Sequence, residues 1–273
     1  MLTKRSKQVG AHLLAILACL FTVIPVYLIV INSFKSKTDA SSMSAALPTV
    51  WHWDNFATVI TAGDLPQGFV NSLFYAVSST LLGTLFAAMA AFVLSRNKTR
   101  FNRFLYFFII LGIALPTNYF TLTKVMQITD LINTKIGMTF LYAAGQIPFG
   151  VFLIYGFLDT IPRELDEAAI IDGCGPFQLF FQVILPLMMP VLVTEGVLAF
   201  LGAWNNFIMP LYFLNTTANW PMTLSVYNFF GQYEQNWNLV SADVLLTILP
   251  VIVVYLAAQR YILSGMTAGA IKG

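Results

Sequence analysis

Six stretches of this chain are long and apolar enough to cross a bilayer as helices, which takes about 20 residues each. They occupy residues 12–33, 69–94, 104–123, 136–158, 187–214 and 242–263. In hydrocarbon no water is present to satisfy backbone N–H and C=O groups, so such segments must be helices or close into a barrel. Unbroken apolar runs of this length select the helix. With 58% hydrophobic and 10% charged residues, against about 25% charged in soluble domains, the chain reads as an all-α polytopic membrane protein with six transmembrane helices. The first run follows Lys4, Arg5 and Lys7. It is too long for a signal-peptide core of about 7–15 residues and no small-x-small cleavage site follows it, so it is expected to stay as a span. Pro25 is expected to kink it.

Lysine and arginine in the loops set the orientation. With the N-terminus inside, the inner segments hold Lys4, Arg5, Lys7, Arg96, Lys98, Arg100, Arg103, Arg163, Arg260 and Lys272, whereas the outer ones hold Lys35, Lys37, Lys124 and Lys135. This distribution predicts that both termini are cytoplasmic, in a multi-pass protein of the bacterial inner membrane. Two outer segments are long. Residues 35–68 carry Trp51 and Trp53, and residues 215–241 carry Trp220, Tyr227, Tyr233 and Trp237. Their aromatics fit either interfacial anchoring or contact with something arriving from outside. Cys19 and Cys174 lie in different environments, and His12 and His52 have no partner at ligand spacing. No metal site is expected.

One inner loop departs from the basic pattern. Residues 159–186 hold five acids, Asp159, Glu164, Asp166, Glu167 and Asp172, and one base, Arg163. Pro162 suits the start of a helix, and the acids at 164, 166 and 167 suit the positive end of its dipole. Gly173 is placed to end it. Leu165, Ala168, Ala169 and Asp172 share one face at helical spacing, a narrow face of mostly small residues that another surface can approach closely. After Gly175-Pro176, residues 177–185 predict a second short apolar helix stopped by Pro186. The residue types alone leave a plainer alternative: Glu167 paired with Arg163 one turn away, worth a few tenths of a kcal/mol, and alanines as helix filler.

The spacing of Glu167-Ala168-Ala169, Gly173 and Leu185-Pro186 resembles the cytoplasmic signature of permease subunits of ATP-binding-cassette importers, with Val183 where isoleucine is usual. The likeness extends to carbohydrate importer permeases of the smaller, maltose-transporter type. Ser33-Phe34-Lys35, Asn71-Ser72-Leu73, Ser95-Arg96, Asn133-Thr134 with Gly137, Trp204-Asn205 with Pro210-Leu211, Gln259-Arg260-Tyr261 and the tail 265–273 are all similar to that group. The resemblance covers nearly the whole chain. It implies a type I ABC importer permease fold with a cytoplasmic coupling helix that fits a cleft in the ATPase. The coupling residues would then be Glu164, Leu165, Asp166, Glu167, Ala168, Ala169, Asp172, Gly173, Leu185 and Pro186. Gly269 and Lys272 of the tail would reach toward the ATPase dimer. The implied partners are a second permease subunit in a heterodimer, an ABC ATPase dimer, an extracytoplasmic solute-binding protein, a sugar substrate and membrane lipid, with no nucleic acid. Three regions follow: 1–68 with the first span and outer loop, 69–263 as the core with five spans and the coupling loop 159–186, and the tail 264–273.

No Gly-x-x-x-x-Gly-Lys-Ser/Thr run occurs, so the chain lacks the usual phosphate-cradling loop. It is therefore expected to be a non-catalytic subunit that binds no cofactor, with ATP and Mg²⁺ held by the partner ATPase. Inside the spans, a charge is a functional hypothesis by default. Glu195 admits three readings: lining the path, sitting at an interface or near headgroups, or pairing with Arg260. Asn205 and Asn206, beside Trp204 in the middle of the fifth span, can bond a neighbouring helix or a sugar hydroxyl, as a pathway or gating group. Asp243 and Lys124 lie near outer ends and call for no special role. An ion-coupled secondary carrier is the main alternative, but it would need midplane carboxylates and paired broken helices, for which Glu195 alone is thin support.

Overall fold

A computed structural model describes the backbone over residues 4–230 and 235–270 and the side chains of 11–230 and 235–259. It is helical throughout. In chain order come α1 (Lys4–Asn32), α2 (Lys37–Ala40), α3 (Asp54–Ala62), α4 (Leu65–Arg96), α5 (Arg100–Ala114), α6 (Tyr119–Ile128), α7 (Lys135–Leu158) and α8 (Glu164–Ile171). Next, α9 (Pro176–Gln178) runs through a π-helical turn, Leu179–Ile184, into α10 (Leu185–Leu187). Then follow α11 (Met189–Trp204), α12 (Ile208–Phe213), α13 (Met222–Ser225) and α14 (Trp237–Ala270). Four helical stretches are each long and apolar enough to cross a membrane: Ala11–Asn32, Leu65–Arg96, Lys135–Leu158 and Trp237–Gln259. Two bent helix pairs, Arg100–Ala114 with Tyr119–Ile128 at 114° and Pro176–Leu187 with Met189–Trp204 at 78°, bring the number among the described residues to six if each pair makes one span.

Two of the expected straight spans are thus broken, each for a local reason. Residues 104–123 do not form one helix: α5 ends at Ala114 because Leu115 precedes Pro116 and is forced extended (φ −79°, ψ 128°). Asn118 then caps α6, its side chain accepting from the Thr121 N–H at 3.0 Å. Residues 187–214 likewise split after Trp204. Asn205 closes α11, and the Asn206 carboxamide oxygen accepts from the Met209 N–H at 3.0 Å to open α12. Pro186 does not stop the second loop helix. It sits in the first turn of α10, where its missing N–H is tolerated, and the π-helical turn before it carries the chain on to the bend at Met188. Pro25, by contrast, lies within an uninterrupted α1.

The chain divides into two compact units, Met1–Gln67 with Met222–Pro250, and Gly68–Pro221 with Val251–Gly273. In the first, Asn55 is the polar hub. Its amide donates to the carbonyls of Ser33 at 2.8 Å and Lys35 at 2.9 Å, and its oxygen accepts from Asn238 at 2.9 Å. Phe34 is ringed by Trp51, Trp53 and Phe56, with centroids 4.7–5.1 Å away. Lys35, read as a solvated outer base, is instead buried, its ammonium donating to the Ser44 carbonyl at 2.7 Å and hydroxyl at 3.0 Å. Removal from water pulls its pKa below the usual lysine value, partly opposed by Asp39. Asp243 is also fully enclosed and accepts from the Ser225 hydroxyl at 2.6 Å.

In the second unit the core is close-packed on small residues. Ala87, Ala88 and Ala91 of α4 are wholly buried with Val151, Ile154 and Leu158 of α7 and Ile184 and Met188 of the bent span, and Ala169 of α8 packs into the same cluster. Small side chains let helix backbones approach where lipid supplies no hydrophobic driving force between them. A Cβ on Gly150 would lie 2.8 Å from the Ala87 Cβ, and one on Gly83 would lie 3.2 Å from the Ala143 carbonyl oxygen.

Candidate functional site

The acidic loop folds as its residue types dictate. Helix α8 starts at Glu164 with Glu164, Asp166 and Glu167 in its first turn. It ends in a Schellman-type closure, the Cys174 N–H donating to Ala169 C=O at 2.9 Å and the Gly173 N–H to Ile170 C=O at 3.0 Å. Gly173 takes φ +86°, a left-handed conformation that glycine adopts without steric cost. No atom lies within 4 Å of where its Cβ would stand, so backbone conformation, not space, demands glycine.

The two faces of α8 differ sharply. Asp166 and Ala169 turn inward, each under a tenth exposed. Glu164, Leu165, Glu167, Ala168, Ile170, Ile171, Asp172 and Gly173 are exposed, with Ile171 at 85%. The small-residue face expected over Leu165, Ala168, Ala169 and Asp172 is therefore split, because Ala169 packs into the core. Leu185 is half-buried and Pro186 exposed at the bend. Gly269 lies in the last helical turns of α14, and Lys272 falls outside the described residues.

The inward face is held by charges. Arg96, the last residue of α4, forms an ion pair with Asp166: Nη2 donates to Oδ1 at 3.1 Å, while Nε stands 2.7 Å from Oδ2 outside hydrogen-bond geometry, with both side chains nearly enclosed. The same guanidinium donates at 3.4 Å to the carbonyls of Leu158 and Ile161. Arg163 Nη2 donates back to Ser95 C=O at 3.1 Å, and Lys98 lies 3.5 Å from Asp159 in a more exposed pair. So two of the five acids that broke the basic pattern are matched to bases of the neighbouring loop, residues 95–103. Sequence reasoning counted those bases only as orientation signals.

Glu195 is buried on α11 and accepts a short hydrogen bond from the Thr84 hydroxyl of α4. A Cβ at Gly150 of α7 would stand 3.1 Å from its Oε1, so three helices converge on this carboxylate. Whether Arg260 meets it lies outside the described side chains. One helical level away, Gln146 of α7 donates to Ala199 C=O of α11 at 3.2 Å and to the Ser79 hydroxyl of α4 at 3.5 Å. A cleft of about 230 Å³ opens beside Thr84, lined by Thr80, Leu81, Leu85, Ala88, Leu192 and Gly196 among others. Trp204 is buried, its ring centroid 5.8 Å from those of Phe69 and Phe200. Asn205 is exposed, and Asn206 is spent on the cap described above.

At the far end of α7, Asn133 is a hub that spacing did not reveal. It sits at φ +58°; its oxygen accepts from the N–H groups of Asn215 and Thr216, and its amide donates to the Thr216 hydroxyl at 2.7 Å. Lys135 donates to Asn71 at 2.7 Å, and Asn71 donates to the carbonyls of Ala218 and Trp220 at 2.9 Å. Asparagine tolerates left-handed backbone, which was the one local signal available. Among the described residues no group of three or more His, Cys, Asp or Glu is placed to hold a metal ion.

This split helix, locked on one face and bare on the other, and the small-residue core behind it occupy the stretch that a family model recognises. The model described as binding-protein-dependent transport system inner membrane component matches residues 83–267. The chain belongs to this family. Over 260 residues the permease is 34% identical to the probable starch degradation products transport system permease protein AmyC of Thermoanaerobacterium thermosulfurigenes, with 95% of each chain covered. It is 32% identical to the melibiose/raffinose/stachyose import permease protein MelC of Bacillus subtilis strain 168, with 98% of each covered. Its fold matches the crystal structure of a bacterial ABC transporter involved in the import of the acidic polysaccharide alginate. That match has a TM-score of 0.79 over 96% of this chain and 99% of that one, at 21% identity. The permease is an inner-membrane component with the type I ABC importer fold. As in its family, it is non-catalytic, and ATP is hydrolysed by a separate ATPase.

Proposed function

We propose that this permease forms the path for a carbohydrate, an oligosaccharide or related polyol, as one half of a heterodimer with a second permease. A separate ATPase dimer drives it through α8 and the bend that follows. The observation that carries the coupling role is the asymmetry of α8: Leu165, Ile170 and Ile171 stand 41%, 59% and 85% exposed on a helix whose other face is pinned by Arg96. An exposed apolar ridge on a rigid support is what an interaction site requires. Glu164, Glu167, Ala168, Asp172 and Gly173 border that ridge, and Leu185 and Pro186 support the bend. The ten-to-four distribution of Lys and Arg favours cytoplasmic termini, which puts α8 on the ATPase side. The tail residues Gly269 and Lys272 are assigned the same partner.

On this reading, closure of the ATPase dimer moves α8, and the spans rock between inward-facing and outward-facing arrangements. A solute-binding protein meets loops 35–68 and 215–241 from outside. Because both dockings favour the same state, delivery and hydrolysis are coupled. Trp204, Asn205, Asn206 and Glu195 are candidate gating or path residues. The permease itself binds no cofactor, ATP and Mg²⁺ belonging to the ATPase. The carbohydrate assignment is supported by the relatives named for starch products and for melibiose, raffinose and stachyose. The regions act as 1–68 (first span and outer loop), 69–263 (five-span core) and 264–273 (tail).

The test is purification of the tagged permease with its neighbouring subunits, followed by uptake of radiolabelled sugars in proteoliposomes. An ATPase and a second permease should co-purify, and Ile171→Asp or Glu167→Trp should abolish uptake while leaving membrane insertion normal. Uptake unchanged in both variants would remove the coupling role from α8.

A further inference from the structure

The family resemblance groups Asp166 with the coupling residues, yet its carboxylate points inward. It is gripped by a guanidinium that also reaches carbonyls at the end of α7 and in the connection to α8: Leu158 and Ile161, each at 3.4 Å. One side chain, Arg96, therefore joins three elements, α4 on which it sits, α7 and α8. Arg163 returns the connection from the other side, donating to Ser95 C=O at 3.1 Å. Apolar contact through Ala169 holds α8 down but leaves it free to slide or roll. A charge-assisted hydrogen bond to the carboxylate, made by a guanidinium that is also bonded to two carbonyls, fixes direction as well as distance.

We propose that Arg96 and Asp166 are a positioning pair that makes α8 move as one body with α4 and the end of α7, so that a push on the exposed ridge is transmitted without slippage. The inference rests on the reading of α8 as the docking element. It separates two jobs within one helix: the outer face meets the partner, and Asp166 ties the helix to the span that reaches Glu195. The pair is nearly enclosed, with side chains 11% and 12% exposed, whereas Lys98 and Asp159 are 58% and 39% exposed at 3.5 Å. Exposed pairs of that kind contribute little, so the positioning role belongs to Arg96 and Asp166 alone.

The test uses the complex, with Cys19 replaced by serine and spin labels at Val93→Cys on α4 and at the native Cys174, whose N–H closes α8 and which is not part of the exposed ridge. In the otherwise native complex the distance between labels should be the same without nucleotide and with ATP plus vanadate. In Asp166→Ala it should broaden and become nucleotide-dependent, a change that a loss of stability alone does not produce. Hydrogen exchange of the α8 amides should speed up by at least about tenfold in Asp166→Ala and in Arg96→Ala, and no further in the double variant, as coupled residues require. Arg96→Lys keeps the charge but loses the guanidinium's simultaneous bonds to the carboxylate and the two carbonyls, should behave like Arg96→Ala, and decides the matter where an alanine variant fails to insert. Lys98→Ala should change nothing. A nucleotide-dependent distance in the native complex, additive exchange effects, or a native-like Arg96→Lys would each overturn the proposal. Failure of any ATPase to co-purify would count against the docking reading instead, and exchange in the permease alone would still decide on the pair.

Discussion

Gly150→Ala tests the three-helix junction directly, because a single methyl group is asked to occupy filled space. Its Cβ would stand 2.8 Å from the Ala87 Cβ and 3.1 Å from Glu195 Oε1. Two methyl carbons at ordinary contact are about 3.5–4.0 Å apart, so α4 and α7 must separate or the carboxylate must leave its Thr84 donor. Overpacking of this sort costs about 1–3 kcal/mol, a loss of roughly 5- to 150-fold in the folded population. Removing the opposing methyl by Ala87→Gly should return most of that loss in the double variant, offset by about 1 kcal/mol or less for glycine in a helix. Unfolding in mixed micelles, titrated with denaturing detergent and followed by tryptophan fluorescence, gives the four corners of the cycle. A double variant no better than Gly150→Ala would refute the reasoning, for it would mean that Ala87 is not what the new methyl meets.

Gly173→Ala should weaken only the end of α8, by about 1–2 kcal/mol from left-handed backbone, seen as faster exchange of the Gly173 and Cys174 amides with the spans unaffected. Ser225→Ala strips the buried Asp243 carboxylate of its 2.6 Å donor and should cost about 1–3 kcal/mol, read in thermal unfolding. Lys35 has its pKa lowered by burial from the ordinary 10.5, so the fold disfavours its charged form. The stability of the outer loop should rise as pH climbs through the lowered pKa toward 10.5, with the burial penalty fully present below that lowered pKa. Protease nicking within 36–50 should report the slope, and Lys35→Met should flatten it.

The six apolar runs, the start of α8 and the need for glycine at 173 were legible because each depends on a few adjacent residues. The break at Leu115 could have been read too, since Pro116 follows it. The split after Trp204 was hidden by the hydrophobicity on either side, although two consecutive asparagines are poor helix formers and good caps. What no local rule reaches is the pairing of Arg96 with Asp166, of Thr84 with Glu195 and of Lys35 with Ser44. The first two depend on which helix faces which, and the third on how the outer loop folds back on itself. The orientation count treated Arg96 and Lys35 as solvated charges, and tertiary structure made both internal. Arg96 still votes in that count, but its charge is matched by an acid of the next inner loop.

Two of these internal pairings, those of Arg96 and Thr84, share one element. Thr84, Ala87, Ala91 and Arg96 are all on α4, at successive turns of the same helix. The first bonds the buried Glu195, the middle two admit the close approach of α7, and the last holds α8. On the proposed coupling, a displacement of α8 would reach the carboxylate through one continuous backbone and two hydrogen-bonded contacts, Arg96 with Asp166 and Thr84 with Glu195. That arrangement accounts for the alanines: a larger residue at 87 or 91 would separate α4 from α7, leaving Arg96 unable to reach the Leu158 carbonyl and α4 in contact at its ends alone. It also gives Glu195 a role that needs no substrate. On that proposal, a carboxylate accepting from a hydroxyl on α4 would register the position of α4 against α11, the helix that carries Trp204.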